Sequence, residues 1–132
     1  MKLGDAMGTL RSTSDQTHKF WAYFQAFTAG GITLAWSTTT QVAIVLGLVA
    51  GYAVFAHFNR LLVVSSQTDA RKIWDSIQAY VAEVPAEVPE QLKEVPKTNE
   101  PQDPKRVKWL HVSITLLAAL VMLARIPFLL WK

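Results

Sequence analysis

Two histidines are placed to hold a metal-bearing group. His57 lies at one end of an apolar run and His111 at the start of another. If the two runs are antiparallel helices, both imidazoles reach a similar depth. A pair of neutral imidazoles in a low-dielectric setting is the ligand set of a bis-histidine haem or a chlorophyll-type pigment. The same depth match follows from any hairpin. The plainer expectation is therefore two interfacial histidines bonded to headgroups, water or backbone, with no cofactor. No zinc or two-metal site is expected, because the apolar runs contain no third ligand and no Asp or Glu.

Arg125 is the one formal charge inside the second apolar run. A charge at membrane depth marks a site unless it reaches the surface. Arg125 lies about two turns from Lys132 and can snorkel outward over that distance. The alternatives are a carboxylate on another subunit or a lipid headgroup. No catalytic set is visible: there is no GxSxG, no HExxH, no phosphate-cradling glycine loop and no pair of carboxylates in an apolar run. The chain is not expected to be an enzyme.

Ala43, Gly47 and Gly51 recur every four residues on one helical face. In lipid there is no hydrophobic drive between helices, and small residues let backbones approach closely. This face is expected to pack either against the last apolar segment or against a partner's helix. Thr115 and Ala119 give a weaker version of the same spacing. A second stripe, Ile73 and Ile77 with Trp74 beside them, has helical spacing outside the apolar run and is expected to grip a partner.

These residues must be positioned by membrane helices. Phe20 to Asn59 carries no charge, and at about 40 residues it exceeds one crossing, which needs roughly 20. Trp109 to Trp131 carries only Arg125. The expected class is an all-α membrane protein with two strong spans, 38–58 and 107–131, and a third N-terminal one at 20–36. Gln25 and Gly30-Gly31 weaken that third segment. It competes with a helix lying flat in the headgroup region, with Phe20, Tyr23, Phe24 and Phe27 on one face.

Residues 1–19 form a polar tail, frayed to about Arg11, with a helix start at Thr13 and Gln16 in capping-box spacing. They lack the apolar core of a signal peptide. Residues 59–83 should continue the helix as an amphipathic extension, since no Gly or Pro intervenes before Pro85. A Pro- and Glu-rich linker at 84–105 repeats Glu-Val-Pro three times and reads as a semi-rigid spacer rather than a docking peptide. Pro127 should kink the last helix.

Charge places the loop. Arg60, Arg71, Lys72, Lys105, Arg106 and Lys108 flank the apolar runs on one side. Short loops rich in Lys and Arg stay cytoplasmic, so residues 60–108 are expected in the cytoplasm, in a bacterial inner membrane. With three spans, Lys2, Arg11 and Lys19 join them and the C-terminus lies outside. Net charge is only +3 and no cysteine is present, which excludes disulfides and thiolate sites and argues against nucleic-acid binding. The expected role is a small accessory or structural subunit that touches lipid and other membrane subunits, or itself. Alternatives are a holin-like pore, a bis-histidine pigment subunit and a homo-oligomeric transporter.

Overall fold

The computed structural model describes residues 3–37, 41–83 and 100–131, and these are helical apart from short turns. Helix α1 is Leu3–Ala35, α2 is Val42–Glu83, α3 is Pro104–Leu123 and α4 is the short Ile126–Leu130. By length and composition α2, and α3 continued through α4, are able to cross a membrane. At about 1.5 Å per residue α1 is about 50 Å long and α2 about 60 Å. Of the expected linker at 84–105, residues 84–99 lie outside the described residues, and its end is corrected because α3 already begins at Pro104, capped by Asp103.

A 3.5-residue repeat joins α1 to α2. The residues that α2 turns inward are Val45, Val49, Tyr52, Ala56, Asn59, Val63, Ser66, Ala70, Ile73 and Ile77. Their spacing alternates between three and four residues for most of its length. On α1 the corresponding series is Leu3, Ala6, Leu10, Thr13, Thr17, Phe20, Phe24, Thr28, Gly31 and Ala35. One extra four-residue step, from Phe24 to Thr28, locally unwinds the pair. This is the geometry of an antiparallel coiled coil. Its register is fixed by cross-helix bonds: Thr17 to Ser66 at 2.6 Å, Asn59 to the Phe20 carbonyl at 3.1 Å and Thr28 to Tyr52 at 3.0 Å. Small residues at Ala6, Thr17, Ala56, Ser66 and Ala70 let the backbones come close.

The third helix packs into the hairpin at the far end, away from the 100–103 segment. Phe24, Ala35, Tyr52, Ala56, Ala118 and Met122 form the buried cluster there. Gly31 faces Met122 so closely that a Cβ on it would meet the methionine methyl at 2.7 Å. Asp103 caps α3 by accepting from the Lys105 amide at 2.9 Å, with Pro104 in the first turn, where its missing N–H costs nothing. Gln67 and Arg71 of α2 donate to the carbonyls of Gln102 and Pro101 and hold that segment in place.

Several expectations are met and others corrected. The helix does continue through Arg60 to Glu83. The break before Pro127 is present: α3 stops at Leu123 and the chain turns through Ala124 and Arg125. The frayed tail is corrected. The helix starts at Leu3, ten residues before the capping box expected at Thr13, whose hydroxyl instead donates to the Thr9 carbonyl within the helix. Packing explains it, because Ala6 is buried against the end of α2 and that burial outweighs the two glycines at 4 and 8.

The glycines give a direct check. Gly47 and Gly51 have open space where a Cβ would sit, so Gly47→Ala should leave the isolated chain as stable or raise its stability by up to about 1 kcal/mol. Gly31→Leu should cost about 1–3 kcal/mol through overpacking against Met122. Reversible unfolding in detergent separates the two.

Candidate functional site

The described residues bury their polar side chains in one seam. At its centre is Asn59, 4 % exposed in the middle of α2. Its amide nitrogen donates to the Phe20 carbonyl of α1. Its oxygen therefore faces Nε2 of His111 on α3, at 3.1 Å. One side chain thus joins all three helices. With Asn59 Oδ1 accepting, the His111 ring carries its proton on Nε2. Nδ1 then faces the Thr115 hydroxyl at 3.4 Å, and that hydroxyl donates to the His111 carbonyl at 2.8 Å. The ring stacks on Phe24 with centroids 3.9 Å apart and lies 5.6 Å from Trp21.

The seam continues in both directions. Towards the 100–103 segment, Thr17 and Ser66 share a hydrogen bond and Ser66 reaches the Thr13 carbonyl. Towards the far end, Tyr52 meets Thr28, and the Trp36 indole N–H donates to the Val121 carbonyl at 3.0 Å. In a medium without water a buried polar group needs such a partner. Each cross-helix bond in a membrane contributes about 0.6 kcal/mol on average and up to ~1.7, so the seam sets register more than bulk stability.

The two histidines are not brought into one site. His57 is exposed on the outer face of α2, with Nδ1 3.2 Å from the Arg60 guanidinium. His111 is turned inward, with Nε2 bonded to Asn59 Oδ1 and Nδ1 beside Thr115. A bis-histidine haem or chlorophyll-type group bound within one chain is therefore replaced by a structural histidine and a surface one. Among the described residues no cluster of three His, Asp or Glu could hold a metal ion.

The expected small-residue face is not packed against any of the described residues. Ala43, Gly47 and Gly51 are exposed, as are their neighbours Ile44, Leu46 and Val54. The stripe outside the apolar run is partly consumed: Ile77 is buried beneath Leu3 and Ala6, and Trp74 lies under the Arg71 guanidinium at 4.8 Å. Ile73 is half-buried. Arg125 sits at the far end with its guanidinium 5.5 Å from the Trp36 ring centre. Its Nε is buried and has no hydrogen-bond partner.

Sequence reasoning missed Asn59 as a contact, treating it as the end of an apolar run. The available signal was its position: Tyr52, Asn59, Ser66 and Ile73 are seven residues apart, and polar side chains at that spacing in an apolar stretch mark an inward face. One further feature is a cleft of about 940 Å³ where α1 and α3 diverge, lined by residues of α1, α2, α3 and the 100–102 segment.

Asn59→Leu should destabilise the chain by about 1–3 kcal/mol, since it strands the Phe20 carbonyl and the His111 N–H together. A double-mutant cycle with His111→Phe should return a favourable coupling of about 0.6–1.7 kcal/mol. A coupling of zero in that unfolding experiment would remove the Asn59–His111 bond from the account.

No protein-family model, curated protein or solved structure matches this chain.

Proposed function

We propose that this is a small accessory subunit that packs its helices against partners in a larger membrane assembly. The observation that carries the proposal is the outward Ala43–Gly47–Gly51 face. It is open on a helix able to cross a membrane, while the chain's own packing runs along a different face. The interior supports a structural role. Among the described residues, Thr17, Asn59, Ser66 and His111 are committed to bonds that hold three helices in register.

In this reading Phe20–Ala35 of α1 is a third span. It runs alongside the apolar part of α2 from the Phe20–Asn59 bond to the Thr28–Tyr52 bond, and at its end Ala35 is fully buried. A helix lying flat in the headgroups would not follow its neighbour in this way. The N-terminus and residues 60–108 then face the cytoplasm and the C-terminus the opposite side, because Lys and Arg concentrate on the loop side. A bacterial inner membrane fits this polarity.

The topology has a direct test, since the chain contains no cysteine. Gly4→Cys and Lys105→Cys should resist an impermeant maleimide in intact cells and react after lysis. Trp131→Cys should react in intact cells. Labelling of Gly4→Cys from the outside would remove the third span.

The assembly is tested by native mass after extraction in a mild detergent. A particle much heavier than the chain, with a stoichiometric partner, is expected. Gly47→Ile should release that partner while leaving the unfolding of the isolated chain unchanged. A particle containing this chain alone would overturn the subunit reading.

A further inference from the structure

His57, Arg60 and Lys108 fall together along the groove between α2 and α3, on the side away from α1. Arg60 is seven residues before Gln67, and His57 is fourteen before Arg71, so each pair shares a stripe of α2. Gln67 and Arg71 reach the carbonyls of Gln102 and Pro101, which lead into α3, and these stripes therefore border α3. On α3, Val107, Leu110 and Ile114 line the cleft beside α1. Lys108 stands on the other side of the buried His111, seven residues before Thr115. The Asn59–His111 bond sets the level of the two helices. Counted from it at ~1.5 Å per residue, the three positions lie within about 8 Å along the bundle.

The chain leaves this positive group without a carboxylate. From Val42 onward the first acid on α2 is Asp69, and α3 has none after Asp103, whose side chain caps the helix. The ion pairs among the described residues use other cations: Arg71 holds Asp75 and Glu100, and Lys72 holds Asp69. Arg60 instead donates to Nδ1 of His57 at 3.2 Å. That bond places the ring proton on Nε2, so an imidazole N–H, a guanidinium and an ammonium offer donors at one level. Just below them the groove turns apolar. Ala53 and Leu46, seven and fourteen residues before Arg60, are exposed, and Val112 and Ala119 are half-buried on the α3 side. Cationic donors above an apolar strip match an anionic headgroup above its acyl chains.

We propose that this groove seats an anionic phospholipid of the loop-side leaflet, its phosphate on His57, Arg60 and Lys108 and one acyl chain along Ala53 and Leu46. The inference rests on the membrane reading of α2 and α3, not on the accessory-subunit role. A guanidinium bonds phosphate through two parallel N–H donors, and each Lys or Arg near an anionic membrane surface adds about 1 kcal/mol of attraction. A zwitterionic lipid brings its own cation to a site that is already positive, which selects for net negative charge.

The test is native mass spectrometry of the full chain in uncharged micelles, titrated with phosphatidylglycerol or with phosphatidylcholine. Wild type should take up one phosphatidylglycerol per chain at concentrations where phosphatidylcholine does not bind. Arg60→Gln and Lys108→Gln should each weaken that uptake about fivefold, the equivalent of ~1 kcal/mol. Arg106→Gln removes an exposed charge at nearly the same depth on another face of α3 and should leave uptake unchanged. Lys108 is exposed and makes no bond within the fold among the described residues, so its variant reads the seat even where Arg60→Gln disturbs folding. Glycerol phosphate at the lipid's concentration, a headgroup without chains, should not displace it. Four results would each overturn the seat: no preference for the anionic lipid, equal loss in Arg106→Gln and Lys108→Gln, displacement by glycerol phosphate, or a polypeptide bound in the lipid's place. A chain that reaches the soluble fraction without detergent fails the membrane reading and the proposal with it. A chain held in the membrane without lipid preference fails the seat alone.

Discussion

Where water is absent, every buried polar group must find its partner inside the protein, and Asn59 answers that demand for three helices together. Its carboxamide donates to the Phe20 carbonyl of α1 and accepts from His111 of α3. Helices in lipid gain nothing from hiding apolar surface from one another, so they are free to slide unless something specific holds them. A shift of one residue in α1 would unpair the Asn59 amide N–H, and a shift in α3 would unpair the His111 N–H. The remaining polar pairs, Thr17 with Ser66 and Thr28 with Tyr52, impose the same register above and below. The apolar contacts around them, with Phe24 clamped between His111 and Tyr52, then pack in only one way.

Much of the chain's outline is legible in its composition. The long uncharged runs, the continuous helix through Arg60 and the break before Pro127 follow from charge, from the absence of Gly and Pro and from the missing proline N–H. What composition hides is the inward face. In a soluble protein the apolar stripe identifies it. In Val42–Phe58 every face is apolar, so hydropathy carries no direction. Ala43, Gly47 and Gly51 stand out as small residues suited to packing, within the chain or on a partner, yet the chain buries Val45, Tyr52 and Ala56 instead. The N-terminal helix was hidden for a different reason. Leu3–Arg11 has weak helical preference of its own and is held by contact with residues some seventy positions away, beside Ile77 and Tyr80.

The site residues divide the same way. His57 and His111 share a depth, as any hairpin requires, but depth says nothing of the direction a side chain takes round its helix. His57 is two positions from Asn59 and so turns to the opposite side, while His111 meets Asn59 directly. Arg125 lies at the turn between α3 and α4. Its guanidinium lies over the face of Trp36, which is held by a bond to α3 that no local pattern could reveal.

On the membrane reading, the break at Ala124–Arg125 bears on the thickness of membrane that suits the bundle. On the loop side the apolar zone ends at Lys19, Arg60 and Lys108. On the far side α2 begins at Val42, and α3 is interrupted at Ala124–Arg125 before the apolar Ile126–Leu130. Val42–Phe58 and Trp109–Ala124 are of nearly equal length, and each spans about 25 Å at ~1.5 Å per residue. An average hydrocarbon core is about 30 Å. Bilayers of that depth must be compressed around the protein or its flanking cations drawn inward, at a fraction of a kcal/mol per ångström of mismatch. On the membrane reading proposed above, the short apolar belt of α2 suits thin bilayers, while α4, beyond the break, gives α3 apolar length to spare.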